Sequence, residues 1–592
     1  MLAVAVAAIV TPSSVAPPCD VVVHAATPGG CMAAVAAARE GAHVCLLEPS
    51  LYVGAMASSG LGLADYGQHS ASVLGGQCQE FYRRVAKHYN VSFAWPDQAQ
   101  CGQHQPPWSA EPHVAELVLN EMLREANVTV LLNTRIVSVQ WQPASKRLAA
   151  ATCADGRSFQ GAVFIDGSYE GALMKLAGAS YTWGREANTT YGESTAGRLP
   201  TRGEAPEWPF GDRSAQLPHG ISPWTDATNT TLIAGVWGGA IAPVGGEDDR
   251  VGGYDWRLTL TDVPSNRVPL PAPAKYDPAE FELLRRAIKR GFSINSPHLG
   301  IPNRKSDWKM IGVFGEFPNL QWRYPNATWE AQQAIIAEFK QHALSLLHFV
   351  QTDLAVPIAT RMKMKTFGLC LDEFNRTTSD HWMPQLYIRS ALRMVGKRVL
   401  TQADVVRSAW VPDSDGIGIG AYTVDVPGPV QIIVDPILGE VTTEGALKVS
   451  PGANPTFCNK AAAPFPLPYS TMVPKDGEVE NLLVPVALSA SHIGFNAVRL
   501  EPTWMILGQS SGVAAAMVVN SSNTFQALDV SALRKRLREL GQYIEPEAPP
   551  PTPSPLSGPH WYAYKDMWVV QPNNMSITAT VNKAVLKRTY AS

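Results

Sequence analysis

The sequence predicts an α/β fold, in which a parallel sheet with a small antiparallel insertion is joined to a mostly helical region of mixed structure. A short apolar run at 20–24, an alanine-rich segment at 28–40 and a second apolar run at 43–48 have the order strand, helix, strand. Near the other end of the chain, an apolar run at 481–488 and a small-residue helix at 502–520 repeat this pattern. The chain has 592 residues, of which 45% are hydrophobic and 17% charged, so it can bury a large core in several domains.

The segment that follows the first unit predicts the rest of the sheet. An amphipathic helix at 111–127 comes first. Turn signals separate the three predicted strands that follow it, at 128–142, 147–153 and 162–167. This order of helix, strand and β-meander is typical of a Rossmann-type domain that carries a small antiparallel insertion.

The turn between the first strand and the first helix decides whether this unit can bind a dinucleotide. The glycines of a G-x-G-x-x-G loop allow a tight turn, a close approach to the pyrophosphate and close helix packing. Here their positions hold Ala25, Thr27 and Gly30. We expect Ala25 to form the turn with a negative φ, and Thr27 to offer its hydroxyl to a phosphate oxygen. Glu48 ends the second strand, where a carboxylate can accept both hydroxyls of an adenosine ribose; a βαβ crossover without a ligand is the alternative.

Two further segments are candidates for the same site. The Gly- and Ser-rich stretch at 54–67 has few large side chains, so a flat ring system could lie against it, unless it is simply a flexible loop. The helix after Pro502 directs its positive end at whatever precedes it, which would stabilise negative charge on a reduced flavin. His492 and Arg499 lie just before that helix. The alternatives are that His492 is a hydrogen-bonded loop residue and that Arg499 forms a structural ion pair.

Composition excludes several other classes of protein. A net charge of −3 gives no indication of nucleic-acid binding, and no apolar run after the N-terminus is long enough to predict a membrane span. The eight cysteines form no C-x-x-C pair and no zinc-type Cys/His cluster, so we predict no metal site. The best candidates for a disulfide bond, in an oxidising compartment, are Cys78 and Cys101, which lie in a Gly-, Gln- and Pro-rich stretch.

Two features favour the secretory pathway or the extracellular space over the cytoplasm. The N-terminal stretch 1–18 has a short apolar run followed by small residues, as in a signal peptide, although no basic residue precedes the run. Eight asparagines lie in N-x-S/T sequons and predict a glycoprotein, although some matches must be coincidental. They are Asn90, Asn127, Asn188, Asn229, Asn326, Asn375, Asn520 and Asn574.

Taken together, these blocks resemble the FAD-dependent oxidoreductases of the glutathione-reductase-like superfamily, whose members have two dinucleotide-binding folds. More narrowly, the chain resembles the branch often labelled "xanthan lyase-like". The blocks that carry the resemblance, spread over about 20–520, include "ATPGGCMAAVAAAREGAHVCLLEP", "GLGLADYG", "GGQCQEFYRRVAKHY", "FIDGSYEGALMKLAGASYTWGREANTTYGES", "YDWRLTLTDVPSNRVPLP", "PQLYIRSALRMVG" and "ENLLVPVALSASHIGFNAVRLEPTWMILGQSSGVAAA".

The resemblance implies FAD as the cofactor and a role for each matching residue. Relatives often begin the phosphate loop with G-G-T-P, where this chain has Ala25-Ala26-Thr27-Pro28, and they often carry a His shortly after Asp425, where this chain has Val426 and Pro427. The implied FAD contacts are Thr27, Gly29 and Gly30 at the pyrophosphate, Glu48 at the ribose, Gly54, Met56, Ser59 and Gly60 alongside the cofactor, Val137 on the adenine side, Asp166 and Gly167 at the end of the cofactor domain, and Leu507 and Gly508 over the isoalloxazine.

The function expected from this resemblance is hydride transfer between a small organic substrate and flavin N5. Arg389, on a helix predicted at 384–406, and Arg499 would clamp a carboxylate or polarise a carbonyl, and His492 would be the acid/base. Oxygen is a plausible electron acceptor if the protein is secreted. The alternative is a flavin-fold protein that binds FAD, or has lost it, without redox chemistry. The expected divisions are a signal peptide at 1–18, the FAD-binding domain at 19–170 and 421–540, a substrate cap at 171–420, a Pro-rich linker at 541–559 and a tail at 560–592.

Overall fold

A computed structural model describes residues 18–63, 73–93, 106–205, 216–376, 380–449, 463–519, 521 and 523–546, with the backbone of 560–564 and 567–571. The predicted signal peptide, most of the linker, Cys101 and two of the sequon asparagines, Asn520 and Asn574, lie outside these residues. The chain divides after Pro546 into two units, and the second contains one antiparallel hairpin among its described residues. The finer division of the first unit into a cofactor domain and a cap stays a prediction.

The described secondary structure is numbered along the chain. The helices are α1 (Pro28–Arg39), α2 (Gly76–His88), α3 (Pro112–Glu125), α4 (Ala172–Leu176), α5 (Glu282–Lys289), α6 (Trp329–Thr352), α7 (Ile358–Met364), α8 (Gln402–Val405), α9 (His492–Phe495), α10 (Glu501–Val519) and α11 (Val530–Glu539). The strands are β1 (Cys19–His24), β2 (Val44–Leu47), β3 (Thr129–Leu131), β4 (Ile136–Trp141), β5 (Leu148–Cys153), β6 (Ser158–Asp166), β7 (Tyr181–Thr182), β8 (Leu260–Thr261), β9 (Arg267–Val268), β10 (Gly368–Cys370), β11 (Arg393–Met394), β12 (Gly416–Gly420), β13 (Val424–Val426), β14 (Gln431–Val434), β15 (Val441–Glu444), β16 (Leu447–Val449), β17 (Phe465–Pro468), β18 (Leu482–Leu483), β19 (His560–Tyr564) and β20 (Met567–Gln571).

The main sheet has the predicted parallel core with an antiparallel extension. Strands β3, β2, β1 and β6 lie side by side in parallel, and β18 adds a further parallel pairing to β6. The long strand β6 joins the two parts of the sheet, because its first residues pair antiparallel with β5, which in turn pairs with β4. The Rossmann-type sheet with its β-meander is therefore confirmed.

Helix α1 crosses from β1 to β2 and starts with two strong N-terminal signals. Thr27 is its N-cap, and its hydroxyl accepts a hydrogen bond from the Gly30 N–H at 3.1 Å. Pro28 occupies the first helical position, where its missing N–H leaves no hydrogen bond unmade. The positive end of α1 therefore lies at the carboxyl edge of the sheet.

Helix α10 packs directly on α1 and completes the core. Its residues are buried on almost every side, which is expected of a helix that is apolar all round. A Cβ on Gly508 would collide with the Gly29 carbonyl oxygen, and one on Gly512 would collide with the Ala33 carbonyl oxygen. The small residues of this segment thus bring the two helix backbones into contact.

The helical pattern at 384–406 is wrong for most of its length. The structure has only the short strand β11 and the four-residue helix α8 in this range. Residues 386–394 are buried throughout, and Tyr387 forms an antiparallel bridge with Asp255. An amphipathic helix needs one exposed face, whereas this segment is enclosed on all sides and pairs with a neighbouring segment instead. The strand predicted at 481–488 is likewise only β18, two residues long.

The predicted Cys78–Cys101 disulfide is also wrong, because Cys78 is a buried free thiol. The described disulfide joins Cys19 of β1 to Cys45 of β2, with Cα atoms 5.9 Å apart. The pairing escaped prediction because the two cysteines become neighbours only when their strands pair. Within the described part of the chain, no helix is both long and apolar enough to cross a membrane.

Candidate functional site

A cavity of about 430 Å³ lies at the carboxyl edge of the sheet, beside the start of α1. Its walls come from the ends of β1 and β2, from the start of β4, and from the first turns of α6. Carboxyl edges of parallel strands are where α/β sheets bind ligands. Of the predicted site residues, Thr27, Glu48 and Val137 line this cavity directly.

Thr27 holds the loop between β1 and α1 in place. Its hydroxyl donates to the Gly167 carbonyl at 2.6 Å while accepting from the Gly30 N–H. The proton that we expected to point at a phosphate therefore points at the end of β6. Within the described residues the N–H of Gly29, in the first turn, has no partner, and it is the group left for an anion at this helix end.

Ala25 does not adopt the expected negative φ; its φ is +69°. This left-handed conformation is the one that the first glycine of a dinucleotide loop normally supplies, and it costs a residue with a Cβ about 1–2 kcal/mol. The Ala25 carbonyl also faces Gly30, where a Cβ would collide with it. The turn therefore has the left-handed backbone conformation of a dinucleotide-binding loop, although the alanine that forms it is strained there.

Glu48 lies at the cavity wall and is only 7% exposed. Its carboxylate accepts hydrogen bonds from the Ala26 N–H at 2.6 Å and from the Ser50 N–H at 2.7 Å. Burial raises the pKa of Glu48, and these hydrogen bonds oppose the shift. The carboxylate thus lies at the end of β2, where the ribose contact is predicted; the contact itself stays a prediction.

The segment predicted to lie beside the cofactor forms a tight 3₁₀ turn. Gly54 and Gly60, each with a φ of +104°, flank it. The Met56 N–H donates to the Tyr169 hydroxyl at 3.3 Å, and that hydroxyl donates to the Glu501 carboxylate at 2.8 Å. A Cβ on Gly60 would collide with the Arg257 carbonyl oxygen, so this end of the turn is packed against the backbone at Arg257. Ser59 is fully buried, and its hydroxyl has no hydrogen-bond partner within the described residues.

The other predicted cofactor residues hold the elements around this site in position. Asp166 accepts hydrogen bonds from the Ser168 N–H and hydroxyl and from the Met174 N–H, and so fixes the start of α4. The Gly167 N–H donates to the His24 carbonyl at 2.8 Å. Leu507 is fully buried in α10, and Gly508 faces α1. Their predicted contact with the isoalloxazine stays a prediction.

Arg389 and Arg499 both contact Tyr387, a residue that no sequence pattern singled out. The Arg499 guanidinium donates to the Tyr387 hydroxyl at 3.2 Å, and the Arg389 guanidinium lies 4.6 Å from the centre of the Tyr387 ring. Arg389 forms ion pairs with Asp255 at 2.8 Å and with Glu316 at 3.4 Å. The two arginines thus lie at one tyrosine, although Arg389 lies on an extended segment and not on a helix; their predicted contact with a substrate stays a prediction.

His492 belongs to a neighbouring network. Its Nδ1 lies 2.8 Å from Oε2 of Glu186, which also pairs with Arg393. Burial raises the pKa of Glu186, but Arg393 and His492 outweigh it and hold the pKa well below its usual range. Asn496 connects this network to the arginines, because its amide donates to the His492 carbonyl at 2.7 Å and its Oδ1 accepts from Arg499 at 3.0 Å.

An acidic cluster away from the cavity contains a lysine side chain. Glu111, His113, Asp372 and Glu373 have ligand-type atoms within 4.8 Å of one another. The Lys305 ammonium lies among the carboxylates, 2.7 Å from Glu111 and Asp372 and 2.6 Å from Glu373. This buried ammonium supplies the positive charge that the cluster requires.

Two further cavity residues escaped the sequence reasoning. Tyr169 and Glu170 follow Asp166-Gly167 after one serine, Ser168, and both line the cavity. Burial raises the pKa of Glu170 to about 7, with Asp166 and Glu48 adding to the shift and a 3.0 Å hydrogen bond from the Tyr324 hydroxyl opposing it. The sequence did contain a signal for them, because polar residues directly after the last strand of a cofactor domain lie at the edge of the sheet where the ligand binds.

The sheet, the glycine-lined turn and the cavity above it define a dinucleotide-binding protein of the Rossmann type. The model of the family described as FAD dependent oxidoreductase matches residues 20–537, and the chain belongs to this family. FAD is accordingly its cofactor. The xanthan lyase-like branch stays a prediction.

Three solved structures that the chain resembles are distant from it, and no curated protein matches it. AlpK is 18% identical over 28% of this chain and 35% of its own, with a TM-score of 0.22. OxyS anhydrotetracycline hydroxylase from Streptomyces rimosus is 15% identical over 29% of this chain and 36% of its own, with a TM-score of 0.23. L-proline dehydrogenase from P. horikoshii is 12% identical over 29% of this chain and 58% of its own, with a TM-score of 0.22. The chain thus spans 35–58% of these proteins' lengths, a likeness that indicates nothing about its substrate.

The residues at the site fit FAD. The Gly30 position leaves no room for a side chain beside the turn, and the free N–H of Gly29 suits a pyrophosphate oxygen. Glu48 lies where ribose hydroxyls are expected. The buried Ser59 hydroxyl, without a described partner, lies on the segment expected to follow the cofactor.

We predict that Ala25→Gly raises the free energy of unfolding by about 1 kcal/mol, because glycine adopts a φ of +69° without strain. FAD affinity is expected to stay unchanged or to become slightly tighter. Urea unfolding of the FAD-depleted protein and fluorescence titration with FAD measure the two effects. The matched control is Ala26→Gly, which removes a buried methyl without relieving a positive φ and should destabilise the protein. Equal losses of stability in both variants would contradict a strained Ala25.

We also predict that FAD affinity falls as the pH rises through about 7, because a deprotonated Glu170 would repel the FAD phosphates across the cavity. The folding stability should change with pH in the same direction. Because the pKa of Glu170 is raised above 4.5 in the folded protein, its contribution to stability is present at low pH and is lost as the pH rises to about 7. We expect the Kd for FAD to rise about tenfold between about pH 6 and about pH 8.5. Glu170→Gln should abolish most of this rise, whereas Glu330→Gln, exposed on α6, should leave it in place.

Proposed function

We propose that the protein oxidises a small organic substrate and transfers a hydride to N5 of FAD. FAD, when bound, supplies the two-electron acceptor. The observation that carries the proposal is the meeting of two buried arginines at Tyr387, next to the segment expected to lie beside the cofactor. The two regions are connected through one segment: Gly60 packs on the backbone of Arg257, and Asp255, two residues earlier, forms the antiparallel bridge with Tyr387.

Arg499 is the group that we propose binds the substrate. Its guanidinium donates to the Tyr387 hydroxyl, to Asn496 and to the Asp425 carbonyl, while the Asp425 carboxylate lies 3.6 Å away. A guanidinium held in position by these hydrogen bonds can donate to a carboxylate or polarise a carbonyl. The favoured substrates are therefore small molecules with one of these groups.

His492 is the proposed acid/base. Glu186 accepts at Nδ1, which places the proton of a neutral imidazole on that nitrogen and leaves Nε2 as the proton acceptor. A charged Glu186 also stabilises the imidazolium that forms when the proton is taken up. This arrangement supports a catalytic base and equally satisfies a structural ion pair, so a kinetic test has to separate the two.

We predict that His492→Ala slows flavin reduction by roughly 100-fold, because the proton would then pass to water instead of a positioned base. The full-length holoprotein is mixed without oxygen with a panel of 2-hydroxy acids, 2-amino acids and simple alcohols. Loss of flavin absorbance at about 450 nm gives the rate. FAD content, measured after denaturation, should not change.

The control for this prediction is His219→Ala, because Nδ1 of the exposed His219 also contacts a glutamate, at 3.0 Å. The control should be reduced at the rate of the unmodified protein. Equal rates for His492→Ala and the unmodified protein would rule out His492 as the base. A yellow protein that no compound of the panel reduces would favour the alternative function, in which FAD has no redox role.

We further propose that the protein enters the secretory pathway and that oxygen is its electron acceptor there. The Cys19–Cys45 disulfide supports an oxidising compartment. The six sequon asparagines within the described residues are all exposed, so glycans could be attached to each. We predict that protein from a eukaryotic secretory host loses mass on treatment with an N-glycosidase and releases two thiols only after reduction. Unchanged mass together with eight free thiols would contradict this location.

A further inference from the structure

His24 is the last residue of β1 and immediately precedes the strained Ala25. Side chains alternate along a strand, and Val21 and Val23 pack in the cluster that includes α1, whereas Val22 packs with residues of β5. The His24 side chain therefore lies on the β-meander side of the sheet, away from α1. It is only 2% exposed.

The chemistry of His24 does not suit that position. Its neighbours along β1 are three valines, and a buried strand end would ordinarily hold another apolar residue. Within the described residues the His24 Nδ1 is buried and has no hydrogen-bond partner. Buried polar atoms are nearly always paired, so this unpaired nitrogen costs the folded protein stability, and we expect the rest of the ring to have a role that a valine could not fill.

The cavity supplies a place for such a role, because His24 is part of its wall, together with Glu48 at the end of β2 and Arg135, Ile136 and Val137 at the start of β4. The protein alone closes off Nδ1, so Nε2 is the ring nitrogen that a ligand in the cavity would meet. Burial, with a smaller contribution from Arg135, lowers the pKa of His24 and keeps the imidazole neutral, although Asp166 opposes the shift. In a neutral imidazole Nε2 can act as the donor or as the acceptor, depending on the tautomer.

We propose that His24 forms a hydrogen bond with an oxygen of the adenosine-phosphate half of FAD, either a ribose hydroxyl or a phosphate. This half is favoured because the wall that His24 shares with Glu48 and Val137 is the wall expected to hold the ribose and the adenine. The inference depends on FAD binding alone and not on the proposed substrate oxidation. It makes His24 a cofactor-binding residue that is destabilising without FAD.

Two effects of opposite sign follow from this assignment. Replacing His24 by Phe removes the unpaired nitrogen while keeping an aromatic ring of similar shape, so the FAD-depleted protein should unfold at the same or a higher temperature. The same change removes a hydrogen bond to the cofactor, so affinity should fall. A residue that serves only the packing of the sheet would instead lose thermal stability and keep its affinity.

The experiment uses the full-length protein depleted of FAD, with FAD, ADP and adenosine as probes in calorimetric titrations. His24→Phe should raise the Kd for FAD and for ADP about tenfold. His24→Gln, which keeps a donor and an acceptor near the position of the ring edge, should recover part of the loss. Weaker adenosine binding in His24→Phe would identify the ribose as the partner, and unchanged adenosine binding would identify the phosphate.

The matched control is His342→Phe, the same change at a partly buried histidine outside the cavity wall. The His342 Nε2 has a partner, the Phe314 carbonyl at 2.8 Å, so this variant should unfold at a lower temperature and bind ADP normally. The proposal is overturned if His24→Phe binds FAD and ADP as the unmodified protein does. It is also overturned if His24→Phe and His24→Gln both lower the unfolding temperature as His342→Phe does.

Discussion

The backbone contact between α1 and α10 is the constraint on which the rest of the structure depends. Gly29 and Gly508 leave no space for side chains between the two helices, so α10 packs directly on the first βαβ unit. Close packing of this kind tolerates little adjustment. It fixes the start of α10, where Glu501 meets Tyr169, and through Tyr169 it fixes the 3₁₀ turn at Met56. The phosphate loop, the turn beside the cofactor and the residues before α10 are thus positioned by one interface.

The parts of the fold that sequence could predict are those determined by local signals. Thr27 and Pro28 mark the start of α1 by capping chemistry that needs no distant contact. The apolar runs of β1 and β2 likewise carry their own pattern, and Glu48 follows β2 as expected. The φ of Ala25 was predicted wrongly because side-chain preference is only a weak guide where the surrounding structure fixes the backbone. Here the turn is fixed by β1, by α1 and by the absence of any side chain at Gly30, and the alanine has to follow.

The candidate substrate site was only half predictable, because its contacts join distant parts of the chain. Arg389 and Arg499 could be selected as residue types, but Tyr387, which brings them together, carries no local signal. The helical pattern at 384–406 failed for the same reason: periodicity reports which residues avoid water, and here residues 386–394 all avoid it. The pairing of Tyr387 with Asp255 decides the conformation, and the two residues are far apart in sequence.

The charges around Tyr387 separate the roles of the two arginines. Arg389 faces two buried carboxylates, Asp255 and Glu316, so its charge is compensated within the protein and its position is fixed. Arg499 lies farther from its described carboxylate, that of Asp425 at 3.6 Å, and it donates to three neutral oxygens, those of Tyr387, Asn496 and the Asp425 carbonyl. The Tyr387 ring lies 4.6 Å from the Arg389 guanidinium, and the Tyr387 hydroxyl accepts from Arg499. Arg389 therefore fixes the ring on which the position of Arg499 depends, and in the proposed function Arg499 is the arginine that contacts the substrate.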